Sequence, residues 1–79
     1  MNLSDSYSDI ILGKIGLTIK ELRIKKGFTS YEKFALEYEL DRKQYWRIEK
    51  GTNLTVKTLL KILVIHQLTL KAFFELLEE

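Results

Sequence analysis

The chain has 79 residues, 46% of them hydrophobic and 30% charged. That composition is enough for one small core and lies well outside the disordered regime. It contains no cysteine, which excludes disulfide staples and thiolate chemistry, and no proline, which suits helices joined by short connections. The net charge is only +2, so any nucleic-acid surface has to come from where the charges sit rather than from their sum.

Residues 1–8 are expected to form a flexible N-terminal segment, and residues 9–79 the folded domain. Ser8 or Asp9 is a suitable cap for a first helix running to about Lys26, with Gly27 as the stop. Ile11, Ile15, Ile19 and Leu22 follow helical spacing along it. Gly13 and Gly16 each weaken its beginning by roughly 1 kcal/mol relative to Ala, so its first turns are expected to fray or bend. Thr29 or Ser30 caps a second helix, and Thr29 with Glu32 has the spacing of a capping box. Asp41 caps a third helix that Gly51 stops. Thr55 begins a fourth helix carrying Leu59, Leu60, Ile62, Leu63 and Ile65, which breaks at Gln67-Leu68. Thr69 caps a fifth with Leu70, Phe73, Phe74 and Leu77. The apolar run Ile10-Ile11-Leu12 is interrupted by Gly13 and Lys14, too soon for an export signal or a membrane span, so a cytoplasmic protein is expected.

Residues 30–51 are the most informative stretch. They read as two short helices joined by a tight turn, with Phe34, Ala35, Tyr38, Tyr45 and Ile48 facing inward and Leu40 locking the turn. Ala35 is small enough to let the second of these helices cross close to the first. The remaining positions, Arg42, Lys43, Trp46, Arg47 and Lys50, form a single outward stripe in which every member but Trp46 is cationic. A pair of amphipathic helices with a basic second member suits reading of the DNA major groove. The carboxylates Glu75, Glu78 and Glu79 collect at the other end of the chain, polarising it into a basic centre and an acidic tail.

Residues 10–74 resemble the helix-turn-helix domain of the phage repressor/Cro (XRE-like) family. The resemblance rests on Phe34-Ala35 in the first motif helix, Leu40 in the turn and Arg47-Ile48-Glu49-Lys50-Gly51 at the end of the second. It implies an all-α, five-helix, lambda-repressor-like fold and a sequence-specific regulator of transcription. Its second motif helix, about residues 41–50, would enter the major groove. The family usually has Gly at the turn position held here by Glu39, and its common Gln at the start of the first motif helix is replaced by the Ser30-Tyr31 neighbourhood. The family also pairs a Glu at position 49 with an Arg in the first helix. Arg23 matches that Arg, so Arg23–Glu49 is expected as a structural ion pair, the alternative being an exposed pair of little value.

On this reading Arg42, Lys43 and Arg47 contact bases, with Gln44 a weaker reader at the edge of the stripe. Ser30, Tyr31, Lys50, Thr52 and Asn53 contact the phosphate backbone. Trp46 either packs against a neighbouring helix or lies on the DNA-facing surface, against a sugar or thymine methyl with its indole N–H on a phosphate. Phe73, Phe74, Leu76 and Leu77 exceed what one face of a short helix buries and point to a homodimer on a two-fold operator through this helix, with the N-terminal segment as a candidate second contact; the alternative is ordinary core plus one exposed leucine. His66 stands alone, and no metal-ligand, paired-carboxylate or nucleophile spacing exists, so neither a metal, nor a cofactor, nor an enzyme activity is expected. The rival reading is an antitoxin-like or adaptor module that mainly binds a partner protein.

Overall fold

The computed structural model describes residues 3–52 and 54–78, with side chains from Asp5 onward. Five helices make up an all-α domain: α1 Leu3–Lys25, α2 Tyr31–Glu37, α3 Arg42–Glu49, α4 Val56–Ile65 and α5 Leu70–Leu77. Strands are absent among the described residues.

The first helix departs from expectation at its start. It begins at Leu3, so residues 3–8 extend α1 and neither Ser8 nor Asp9 caps it. Ser8 and Asp9 are exposed interior positions of the helix. In a helix interior each costs only a few tenths of a kcal/mol relative to a better former, too little to force a cap without Gly or Pro beside it. Asp5 in the first turn also suits the positive end of the helix dipole. Neither Gly13 nor Gly16 interrupts the helix.

The remaining starts are set by hydroxyl and carboxylate caps. The side-chain oxygens of Ser30, Asp41, Thr55 and Thr69 accept from the backbone N–H groups of Lys33, Gln44, Thr58 and Ala72. Ser30 is therefore the cap of α2, and Thr29 lies outside it. This places Glu32 second rather than third in the helix, so the Thr29–Glu32 box is replaced by a single Ser30 cap.

Four helix ends are closed by one device. A residue with positive φ follows the helix, at Gly27 (104°), Glu39 (56°), Gly51 (88°) and Gln67 (56°). The next N–H reaches back five residues: Phe28 to Arg23, Leu40 to Ala35, Thr52 to Arg47 and Leu68 to Leu63, at 2.8–3.1 Å. This is the six-to-one closure of the Schellman motif. Glu39 and Gln67 adopt the left-handed conformation without being glycine, at a cost of about 1–2 kcal/mol each.

The core comprises Ile15, Ile19, Phe34, Ala35, Tyr45, Ile48, Leu59, Ile62, Leu63 and Phe73. Phe34 is its hub. Its ring lies 5.3 Å from Phe28, 4.9 Å from Tyr38, 5.1 Å from Tyr45 and 5.5 Å from the stacked His66 imidazole. Leu40 is half-buried in the α2–α3 turn, while Leu60 faces solvent. Where α1 crosses the end of α3 the backbones nearly touch. A Cβ on Gly16 would stand 2.4 Å from the Ile48 carbonyl oxygen and 2.8 Å from that of Glu49. A Cβ on Gly51 would stand 3.1 Å from the Cα of Gly13. Of the two glycines that weaken α1 in isolation, Gly16 is the one that lets it seat against α3.

Candidate nucleic-acid interface

Tyr45 and Ile48 turn one side of α3 into the core, and that choice sets the other side. Arg42, Lys43, Gln44, Trp46, Arg47 and Lys50 are all exposed. Asp41 fixes the start of the helix, its carboxylate accepting from the Gln44 N–H at 2.8 Å. Arg42, the first helical residue, has a guanidinium nitrogen 3.8 Å from the Glu32 carboxylate of α2. Both side chains are more than half exposed, so the contact orients Arg42 but adds little stability. The Trp46 ring is 43% exposed on this face, with the Lys50 ammonium 5.7 Å from its centroid. Of the two readings of Trp46, packing against a neighbouring helix accounts for only part of its surface.

The flanking positions separate into those free to donate and those already used. Ser30 accepts from the Lys33 N–H, which leaves its hydroxyl hydrogen available at the start of α2. Tyr31 is half-buried against the core. Thr52 departs from expectation. Its backbone N–H and its hydroxyl both donate to the Arg47 carbonyl, at 3.0 and 2.8 Å, so it closes α3 instead of offering a donor to phosphate. Asn53 lies outside the described residues.

Behind the exposed face, Arg23 joins three segments. Its Nε donates to Glu49 Oε2 at 2.8 Å and its Nη2 to Oε1 at 3.1 Å, a two-pronged pair across α1 and α3. Its Nη1 donates to the Phe28 carbonyl at 2.7 Å, tying in the α1–α2 loop. Both side chains are about 95% removed from solvent, so the pair is a buried one. The Glu49 hydrogen bond holds the guanidinium pKa above its ordinary value, outweighing the opposing effect of burial. The Tyr45 hydroxyl is buried beside this pair. It makes no hydrogen bond of good geometry, and burial first, then Glu49, pushes its pKa up. Breaking such a pair is costly, because the remaining charge keeps its desolvation without its partner.

The four apolar residues assigned to a partner in α5 divide. Phe73 is fully buried and belongs to the core, and Leu77, one turn on, is half-buried against it. Only Phe74 and Leu76 remain exposed. An eight-residue helix buries one face, here the positions four apart, and the tight clustering in sequence hid that split.

His66 caps the end of α4, half-buried and stacked on Phe34. Burial first, and then the charge of Lys26, lower its pKa. Among the described residues no three of the types His, Cys, Asp and Glu are grouped to hold a metal ion. No helix of the described residues is long and apolar enough to cross a membrane.

Sequence inspection missed Gly16 and Gly51 as packing residues, the Phe28 carbonyl as a third partner of Arg23, and Glu32 beside Arg42. A signal for the first existed: two glycines three residues apart in a helix lie on one side of it. Comparison with models of known protein families, with curated proteins and with solved structures finds no match to this chain.

Proposed function

We propose that this chain is a sequence-specific DNA-binding regulator of transcription with a lambda-repressor-like helix-turn-helix, in which α3 enters the major groove. The observation that carries the reading is the division of α3. Tyr45 and Ile48 are buried, while Arg42, Lys43, Trp46, Arg47 and Lys50 share one exposed side of a helix held against α2 by a short turn. Arg42, Lys43 and Gln44 stand at the helix start, where a groove-inserted helix meets base edges. Arg47 follows one turn later, and Lys50 at the far end suits phosphate. Ser30, at the start of α2, has a donor to offer the backbone. The buried Arg23–Glu49 pair has no DNA contact in this scheme and fixes the angle between α1 and α3. Two copies on a two-fold operator follow from the limited reach of one small domain.

The test is selection of bound sequences from a random duplex pool, followed by substitution. Arg42→Ala or Arg47→Ala is expected to cost about 1–3 kcal/mol on the selected site and much less on random DNA. Lys50→Ala is expected to weaken every sequence alike and to flatten the salt dependence by roughly one unit of slope. Failure of the pool to converge, with no salt-dependent binding, would overturn the reading. The second reading, an antitoxin-like or adaptor module, draws on the exposed stripe Val56, Leu60 and Val64 along α4. Absence of DNA binding at moderate salt with retained binding of a protein partner would favour it.

A further inference from the structure

Helix α1 is apolar on two opposite sides. The inner side carries Ile15, Gly16, Ile19 and Arg23, all buried. On the outer side Ile10, Leu17 and Ile24 recur at intervals of seven and are 59%, 56% and 48% exposed. At 3.6 residues per turn this outer stripe is centred about 145° round the helix from the buried one. A surface helix ordinarily turns its outer side to polar residues. Between the apolar positions stand exposed charges: Lys14 and Glu21, of opposite sign, on one flank of the stripe, and Lys20 on the other. Glu21 also borders a groove of about 410 Å³ with Thr18, Leu22, Lys25 and Leu76, so the outer stripe runs on to the exposed part of α5.

We infer that the outer side of α1 pairs antiparallel with α1 of a second copy of this chain. The order of residues is self-complementary about a two-fold axis between Leu17 and Thr18. That axis sets Lys14 level with the partner's Glu21 and Glu21 level with the partner's Lys14. The same axis brings the two Leu17 side chains together, and sets each Ile10 within one residue of the partner's Ile24. An isologous two-fold contact requires this kind of pattern, in which residue i meets j and j meets i. Parallel pairing instead sets Lys14 against Lys14 and Glu21 against Glu21, which like-charge repulsion disfavours. A helix of this length is about 34 Å long. One helix face with the rim of the groove is smaller than the roughly 800 Å² per partner of a standard-size complex, so association is expected to be weak. The pairing leaves both α3 faces uncovered, because α3 packs on the inner side of α1 at Gly16 and Arg23. The inference takes over the pairing of two copies proposed above, assigning its main contact to α1 in place of α5, and does not depend on DNA binding.

The experiment is sedimentation equilibrium of the full chain without DNA over a concentration series, with circular dichroism of each variant as the fold control. Wild type is expected to show a reversible monomer–dimer equilibrium. Lys14→Glu and Glu21→Lys each create two like-charge contacts per dimer and are expected to weaken it by about tenfold or more. Mixed in equal amounts, these two variants are expected to recover association to roughly the wild-type level, since one then carries two acids on the seam and the other two bases. The double variant is expected to behave as wild type, and Leu17→Glu to be monomeric. A wild-type monomer at millimolar concentration overturns the inference. So does a dimer indifferent to these substitutions, or single variants that fail to rescue each other while remaining folded. None of these results touches the DNA-binding reading, which the selection experiment tests separately.

Discussion

Alanine at position 16 and alanine at position 13 are predicted to change stability in opposite directions, although both replace a glycine in the same helix. A Cβ at Gly13 meets nothing within 4 Å, so Gly13→Ala collects the full helix-propensity gain of about 1 kcal/mol. The same gain applies at Gly16, but there the new carbon stands 2.4 Å from the Ile48 carbonyl oxygen and 2.8 Å from that of Glu49. Both obstacles are backbone at the end of α3, so no rotamer change relieves them. The two helices have to separate by about 1 Å to restore ordinary contact. Overpacking of this kind costs about 1–3 kcal/mol, and the upper end applies because the shift is borne by backbone and disturbs the adjoining Arg23–Glu49 pair. The net effect of Gly16→Ala is a loss of about 1–2 kcal/mol. For a domain of this size each kcal/mol moves the melting temperature by about 4–8 °C. Gly13→Ala is therefore expected to raise Tm by about 4–8 °C and Gly16→Ala to lower it by about 4–16 °C, read by circular dichroism at 222 nm. A Gly16→Ala protein as stable as wild type would refute the close approach of α1 to α3. A Gly13→Ala protein less stable than wild type would refute the continuity of α1 through that position.

Three further outcomes follow from the described contacts. Arg23→Ala and Glu49→Ala are each expected to cost about 3–5 kcal/mol in urea unfolding, and the double variant less than their sum; strict additivity would rule out the direct pair. Gln67→Gly is expected to raise stability by about 0.5–1 kcal/mol by relieving the left-handed conformation, with an unchanged or lower Tm counting against it. The His66 pKa is lower in the folded chain than in the unfolded one, so the unfolded state binds more protons between the two values. Its contribution is thus fully present above the unfolded pKa, about 6.5, and is lost as pH falls through the folded value. His66→Phe is expected to flatten the stability profile below pH 6.5, and an unaltered slope in urea titrations across that range would refute it.

The parts of the fold that were legible in the sequence are those fixed by local chemistry. Ser30, Asp41, Thr55 and Thr69 start helices because each offers an oxygen to an otherwise unpaired N–H three residues on, and that is a property of a short segment. The inward set Phe34, Ala35, Tyr45 and Ile48 followed from helical spacing, and with it the exposed basic side of α3. What escaped depends on contacts distant in sequence. Whether Gly16 is a weakness or a seat depends on α3, more than thirty residues away. Whether Thr52 donates to a ligand or to Arg47 depends on how the chain leaves α3. Gln67 gave no local sign of positive φ, and at Glu39 the sign came only from the resemblance, whose family usually has Gly there; the six-to-one bonds and the half-buried Leu40 and Leu68 beyond them hold both turns. The start of α1 was misplaced for the reverse reason: a good cap residue was present, but nothing forced the chain to use it.

The chain has a single tryptophan, and it lies on the outer side of α3. Intrinsic emission excited at the indole is therefore a local optical probe of that side and not of the core. Unfolding carries an indole that already meets water further into water, so its spectral shift is small and a poor gauge of folding. The four tyrosines, with Tyr45 fully enclosed, make the near-ultraviolet dichroism the better witness of the interior. Anything that settles on the outer side of α3 covers the indole and displaces the Lys50 ammonium from beside it. Occupancy of that side can then be followed in an unlabelled protein, in real time, by the colour and yield of one residue.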